Sequence, residues 1–472
     1  MVLPLHVDSM LLKLPAEVVT RDQDIISSYL TDFRRQYVGA TAALLRPRNT
    51  AEVQAIIRAC AEHKIGVVAQ GGNTSYCTAA TPSADGQELL VSLERMNKVR
   101  ELDPKNLSVT ADAGVILSDL QQAADAAGLL LPLALGSQQS CRIGGNLSTN
   151  AGGINVIRYG MARDLVLGLE AVLPDGSLFS ELNPLRKNNS GYDVKQLFIG
   201  AEGTLGIITG VSLKLVRKPR QTITAFLAVR DIASLATILD AAQTQSGEAI
   251  TSFEYISGTS LQLLLNADDR LRNPLEHESA HYVILEAATA SPILNLEECI
   301  SALLAELFES GLISDGTIAA SELQRAGLWH LRENIPEAEI YHGGSVKHDI
   351  AVRTSRLAEF IESACQLVHS YRRGSILSVY GHVGDGNVHF NIVPPEGTDK
   401  AIFKRGVEED ISPEIYRLAF EMGGTFSAEY GIGRTKLNLL QRYGADGKIA
   451  LMKRIKTAID PHNLLNPGKV IP

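Results

Sequence analysis

The chain has 472 residues, 45% hydrophobic and 21% charged, which is enough apolar side chain for more than one core and too little bias for disorder or low complexity. With 53 acidic against 44 basic side chains its net charge is -9, which excludes the broad basic face that a nucleic-acid partner requires. Cys60, Cys77, Cys141, Cys299 and Cys365 lack C-x-x-C spacing and read as reduced thiols of a cytoplasmic protein; residues 1–20 lack the regions of a secretory leader, and no stretch offers the roughly 18 apolar residues of a membrane span, although peripheral attachment to a membrane stays compatible.

In chain order, residues 42–45 read as a strand, and Thr50 is expected to cap a helix in which Val53, Ile56, Ile57 and Cys60 recur on one face, stopping at Gly66. Residues 67–69 form a short buried strand that runs into Gln70-Gly71-Gly72-Asn73-Thr74-Ser75. A strand feeding such a loop presents backbone N–H groups and hydroxyls to a phosphate, at about 1.5–3 kcal/mol per charge-assisted bond, although the same residues also make an ordinary turn. Strands at 89–93 and 108–113 follow, then a helix over 118–127 ending at Gly128. The run Gly144-Gly145-Asn146-Leu147-Ser148-Thr149-Asn150-Ala151-Gly152-Gly153 nearly lacks bulky side chains, as expected where an extended flat ligand lies against backbone. Gly200-Ala201-Glu202-Gly203-Thr204-Leu205-Gly206-Ile207-Ile208 leads into a strand reaching about residue 215. Neither glycine cluster has the G-x-G-x-x-G spacing between strand and helix, so a Rossmann site is not supported. Lys218-Pro219-Arg220 punctuates the chain and closes a first domain at 217.

Beyond it, a strand at 224–229 and a helix over 232–242 begin a second alternating pattern. Residues 376–380 and 388–393 both read as strands, and between them lies His382-Val383-Gly384-Asp385-Gly386-Asn387-Val388-His389. The loop would close a hairpin and bring two imidazoles together. Glu429, in the glycine-punctuated segment 427–433, supplies a carboxylate about forty residues on. Two neutral imidazoles and one carboxylate suit an open catalytic zinc, and equally non-haem iron.

With the ending Asp460-Pro461-His462-Asn463-Leu464-Leu465-Asn466-Pro467-Gly468-Lys469, five ordered motifs are present. Together they make the chain similar, from about residue 40 to its end, to the FAD-linked oxidases of the vanillyl-alcohol oxidase (PCMH) type, in the D-2-hydroxyglutarate and D-lactate dehydrogenase branch. The resemblance implies an α+β fold: a two-subdomain FAD-binding domain over residues 1–217, an antiparallel-sheet substrate domain over 218–425 that caps the flavin ring, and a C-terminal segment, 426–472, that returns to the flavin domain. It implies that Gln70, Gly71, Gly72, Asn73, Thr74 and Ser75 cradle the FAD pyrophosphate. Gly144, Gly145, Asn146, Thr149, Gly152 and Gly153 would line the cofactor, and Glu202, Gly206, Ile207, Ile208 and Asn466 would complete its pocket. Some relatives tether FAD to a histidine in the first loop; Asn73 there implies non-covalent FAD.

The same resemblance makes His382, His389 and Glu429 zinc ligands, Asn391 a substrate amide, and Arg332 and Lys347 the cations that bind substrate carboxylate. By itself Arg332 reads as a helix-surface ion pair with Glu333 or Glu337, and Lys347-His348-Asp349 as the polar end of a strand. Two departures stand out. The family's base histidine after the metal carboxylate is Tyr430 here, which leaves Tyr430 and His348 as candidate bases, and a substrate-holding threonine is matched by Pro336. The implied reaction oxidises a D-2-hydroxy acid (D-2-hydroxyglutarate, D-lactate or similar) to the 2-oxo acid and passes electrons to a quinone or an electron-transfer flavoprotein, in a protein that could be a homodimer. Competing readings are a flavin-independent His/His/Glu oxygenase or hydrolase and a catalytically inactive FAD-binding subunit.

Overall fold

The computed structural model describes residues 5–372 and 374–472. The chain forms two units. The first comprises Met1–Gly152, Met161–Lys218 and Glu429–Pro472, and the second comprises Gly153–Gly160 and Pro219–Ala428.

In the first unit, the strands Leu44–Leu45, Glu88–Ser92 and Gly66–Gln70 lie parallel, with Val19–Thr20 antiparallel at the edge. Parallel strands need a crossover, and the helix Thr50–His63 supplies one between Leu44–Leu45 and Gly66–Gln70, which flank Glu88–Ser92, burying Val53, Ile56, Ile57 and Cys60. Its cap is Asn49 rather than Thr50. Asn49 Oδ1 accepts the Glu52 N–H at 2.9 Å while its Nδ2 donates to Glu52 Oε1 at 3.2 Å. Thr50 instead donates its hydroxyl to Glu170 Oε1 at 2.8 Å. The stop is also earlier than Gly66: Lys64 takes a left-handed φ of 54°, and Gly66 opens the next strand. A second, five-stranded sheet is antiparallel throughout, in the order Val99–Asp103, Ser108–Asp112, Ile207–Lys214, Val166–Val172, Leu178–Glu181.

The glycine run at 144–153 begins as a helix. Residues Ile143–Ser148 form a helical turn whose small residues permit close packing, since a Cβ on Gly144 would meet Ala113 Cβ at 2.7 Å. Gly153 falls in the second unit, with the short helix Val156–Tyr159, where Arg158 Nη1 donates to the carbonyls of Ala249 and Ala288.

The second unit is one seven-stranded antiparallel sheet. Its order is Ile313–Ile318, Gln221–Val229, His281–Thr289, Ile250–Ser257, Ile376–Gly381, Asn387–Val393, Asp349–Ala351. Successive strand side chains point to opposite faces, and here both faces are covered. Ala225, Leu227, Val229, Val283 and Leu285 share one core with the helices Leu235–Ser246, Leu296–Glu309 and Leu357–Tyr371. Phe226, Ala228, Tyr282 and Ile284 share the other with Gly258–Ala267, Glu322–Glu333 and Ile335–Tyr341. Removing a ring such as Phe226, fully buried, would cost about 3–5 kcal/mol. Among the described residues none of the five cysteines is in a disulfide, and no helix is long and apolar enough to cross a membrane.

Candidate active site

The expected hairpin forms. Strands Ile376–Gly381 and Asn387–Val393 pair antiparallel with Tyr380 opposite His389. Glycine is required at its base: at Gly386, φ 88°, a Cβ would stand 2.2 Å from Val352 O, closer than any side chain allows. The His382 and His389 rings are 5.5 Å apart, inclined at 82°. Glu429 directly follows Ala428, the last residue of the second unit, and one ligand atom from each of His382, His389 and Glu429 lies within 4.8 Å of the others. Asp349 steadies the approach, accepting the Ala428 N–H at 2.9 Å and the Asn387 amide at 3.1 Å, with its Oδ1 4.0 Å from His389 Nδ1. Two imidazoles and a carboxylate this close, with both rings largely buried, fit a divalent metal that keeps a coordination position open.

A polar network continues from the histidines. Glu254, 1% exposed, accepts from His382 Nδ1 at 2.6 Å and from Arg332 Nε at 2.8 Å. Burial pushes its carboxyl up, but its pairing with His382 and Arg332 outweighs that and holds it below the ordinary carboxylate range. The Arg332 guanidinium lies over the Tyr380 ring, 4.8 Å from its centroid, and Tyr380 also meets the His389 ring at 5.2 Å. Asn391 Nδ2 donates to the Tyr380 hydroxyl at 3.2 Å and to Glu339 Oε1 at 2.9 Å. Glu339, fully buried, takes Lys347 Nζ at 2.8 Å and Ser345 Oγ at 2.6 Å on its other oxygen. Arg332, Lys347 and Asn391 are thus brought together by two buried glutamates and a tyrosine that the motifs do not name. Arg332 pairs with neither Glu333 nor Glu337 among the described contacts; its partner is Glu254. Pro336 sits in the first turn of Ile335–Tyr341, where its missing N–H costs nothing.

His348 is held at both ring nitrogens. Its Nδ1 lies 2.7 Å from Phe390 O and its Nε2 2.8 Å from Ser412 Oγ, in a site 1% exposed, so both ring nitrogens are committed to the scaffold. Tyr430 belongs to the first unit: its ring meets that of Tyr76 edge-on at 4.6 Å, and Lys436 Nζ stands 5.7 Å from its centroid.

In the first unit, the loop after Gly66–Gln70 is pinned from both sides. Gln70 donates to Tyr29 O at 3.0 Å and Ala80 O at 2.9 Å, and Asn73, φ 52°, donates to Thr31 O at 2.8 Å, so both side chains brace the loop rather than face outward. A Cβ on Gly72 would fall 2.2 Å from Ser140 O, which locks the loop against the segment before Ile143–Ser148. Gly71 has only ordinary contacts, and Thr74 and Ser75 continue the loop. On that helix the Thr149 hydroxyl bonds back to Gly145 O at 3.1 Å. Glu202 is a bolt: it is 5% exposed and accepts the N–H groups of Ile432 and Gly433 at 2.7 and 2.9 Å, and burial pushes its carboxyl up to about 7. Gly206 packs where a Cβ would meet Phe198, and buried Ile207 and Ile208 begin Ile207–Lys214.

Three observations fit a bound flavin nucleotide in this unit. Asn146 Oδ1 and Asn466 Oδ1 are buried without a hydrogen-bond partner, and a Cβ on Gly145 would meet nothing within 4 Å. Orphan buried acceptors are what ring N–H or ribityl hydroxyl donors would satisfy. Gly152 closes the first stretch of the unit and Gly153 lies beyond it.

Residues 41–180 match the family described as FAD binding domain, and residues 218–470 match FAD linked oxidases, C-terminal domain. The chain belongs to the FAD-linked oxidases. This oxidase is 38% identical over 456 residues to the mitochondrial D-2-hydroxyglutarate dehydrogenase of Arabidopsis thaliana, covering 96% of this chain and 79% of that one. It is 35% identical over 462 residues to the D-2-hydroxyglutarate dehydrogenase of Stutzerimonas stutzeri (97% and 96%). It is 36% identical over 453 residues to the D-2-hydroxyglutarate–pyruvate transhydrogenase of Saccharomyces cerevisiae (94% and 90%). In fold it resembles p-cresol methylhydroxylase, with a TM-score of 0.72 at 18% identity (98% and 96% covered), and alkyldihydroxyacetonephosphate synthase, with 0.75 at 16% (100% and 86%). The oxidase is accordingly an FAD-dependent oxidoreductase with an FAD-binding domain and an antiparallel-sheet domain. The flavin-independent alternative falls with the match over 41–180.

Proposed function

We propose that this FAD-linked oxidase is a metal-assisted dehydrogenase whose first substrate is D-2-hydroxyglutarate or a close D-2-hydroxy acid. FAD-dependent oxidation of a D-2-hydroxy acid at its CH–OH carbon rests on the family and on relatives that carry that name over almost the whole chain. The observation supporting the finer reading is the continuity of His382 and His389 with Arg332, Tyr380, Asn391 and Lys347, because one small anion could then be held at both ends.

In this reading His382, His389 and Glu429 hold a divalent ion, zinc first by ligand type, which when bound would supply Lewis acidity toward the substrate hydroxyl and carboxylate. FAD held by the first unit would, when bound, accept the hydrogen and electron pair from the carbinol carbon. The residues do the rest. Arg332 has its Nε on Glu254 and no protein hydrogen bond on Nη1 or Nη2 among the described residues, so those nitrogens can take a carboxylate bidentately. Lys347, 23% exposed at its side chain, adds a second cation, and Asn391 Oδ1, which receives the His348 N–H at 3.3 Å, is fixed beside it. Tyr430, next to Glu429, is the remaining candidate for removing the hydroxyl proton. A phenol of pKa about 10 serves as a base only where cations favour its ionised form, and Lys436 at its ring face is one such cation.

Buried Glu254 and Glu339 each offset one of the two cations, so the pocket holds no large positive excess. That balance tolerates a monoanion as well as a dianion, and Pro336 offers no hydroxyl to choose between them. For the electrons, a quinone or an electron-transfer flavoprotein is the expected acceptor; the name of the yeast relative points to a third route, a second 2-oxo acid. The test is replacement of Arg332 by Met. With D-2-hydroxyglutarate the KM should rise while FAD content stays constant; an unchanged KM would remove Arg332 from the substrate site.

A further inference from the structure

We infer that Glu254 is a positioning residue that ties metal affinity to substrate affinity, by holding the metal-ligand histidine His382 with one carboxylate oxygen and the substrate arginine Arg332 with the other. The inference rests on the site reading above and adds a residue that no motif marks.

Strand alternation explains the placement. On Ile250–Ser257, Phe253 and Tyr255 point into one core and Ile256 into the other. Glu254 therefore shares the Ile256 face, against which the helix Glu322–Glu333 packs and delivers Arg332. His382 arrives from the neighbouring strand Ile376–Gly381, paired to the same strand through Tyr255–Gly381 and Ile256–Tyr380. A carboxylate 1% exposed in a sheet interior is costly unless each oxygen is bonded. Here Oε1 lies 2.6 Å from His382 Nδ1 and Oε2 2.8 Å from Arg332 Nε.

Each bond has a directional consequence. A carboxylate at Nδ1 keeps the proton there, so the Nε2 lone pair is the one offered to a metal, and ring orientation is fixed with it. At Arg332 the engaged nitrogen is Nε, which leaves the terminal fork free. One acid thus aims the two groups that would grip opposite ends of a 2-hydroxy dicarboxylate. A purely structural ion pair would keep the helix on the sheet without affecting either ligand.

Glu254→Gln separates the two. Its amide can accept from only one of the two N–H donors and must set an N–H against the other. Zinc affinity, read by competition with a chromogenic chelator in the absence of substrate, should fall about 10- to 100-fold, the range for loss of a carboxylate behind a metal-bound histidine. KM for D-2-hydroxyglutarate should rise as well, with flavin content and thermal midpoint as the controls for folding. Zinc affinity and KM both unchanged would overturn the inference. His382→Ala is the comparison: if it too retains zinc, the metal site itself is misassigned, a different failure. Should Glu254→Gln not fold, Arg332→Met carries the test, since Glu254 then serves His382 alone and substrate-free zinc affinity should tighten several-fold; an unmoved affinity would show the two grips to be independent and overturn the inference.

Discussion

Chemistry at the level of single residues turns on what each ring nitrogen and carboxylate oxygen already touches. His348 shows the value of that accounting: the missing family histidine makes it a candidate base, while Phe390 O and Ser412 Oγ at its two nitrogens favour the plainer reading of a polar residue at a strand end. Tyr430 is left. Its replacement by Phe should retain FAD and metal while slowing substrate-driven flavin reduction at least about 10²-fold, the usual size of a lost general base; an unchanged rate would assign the proton to another group. His382→Ala and His389→Ala should abolish that reduction and the bound metal together, with the flavin absorbance intact, as metal analysis beside a visible spectrum would record. Glu254, Glu339 and Tyr380 escaped the motif reading because each lies inside an otherwise apolar strand or a helix, and only the sheet register brings them to Arg332, Asn391 and Lys347. A weak signal did exist: a lone acid amid Ile250-Thr251-Ser252-Phe253-Glu254-Tyr255-Ile256 requires a buried partner.

Among the secondary-structure elements, the apolar periodicities gave most strands and helices to within a few residues, while glycine was the less faithful guide. The run 144–153 suggested backbone against which a flat ligand lies, and its first part, Ile143–Ser148, is helical, because missing side chains allow a helix to pack on Ala113 as readily as they allow a ligand to lie on backbone. Gly145 distinguishes the two uses. Nothing in the protein opposes a Cβ there, and Gly to Ala in a helix is worth roughly 0.5–1 kcal/mol. Gly145→Ala should therefore raise the melting temperature of the flavin-free protein and weaken FAD binding; full FAD retention would place the cofactor elsewhere. Glu202 makes a pH-dependent claim on the segment it bolts. Its carboxyl, pushed up to about 7 by burial, contributes stability that is fully present below the ordinary carboxylate pKa of about 4.5 and is lost as pH rises toward 7. The thermal midpoint should accordingly decline over that window, and Glu202→Gln should flatten the profile; an equally sloped profile in the variant would assign the dependence to other groups.

For the molecule as a whole, ordered motifs spread over most of the chain identified the family, because FAD and metal sites each demand glycine and polar residues in fixed positions. What those motifs leave open is the choice among hydroxy acids, which in the proposed site would turn on how Glu254 and Glu339 balance Arg332 and Lys347 and on the hydroxyl that Pro336 lacks. The most direct measurement is an anaerobic absorbance titration of the purified, FAD-loaded protein with D-2-hydroxyglutarate, D-lactate, D-malate, glycolate and the L-enantiomers, before and after chelator treatment. Bleaching of the flavin by D-2-hydroxyglutarate or another D-2-hydroxy acid, abolished by chelator and restored by zinc, is the predicted result. Bleaching that survives complete metal removal would contradict the metal-assisted mechanism, and a flavin that no hydroxy acid reduces would contradict the assignment of a D-2-hydroxy acid dehydrogenase.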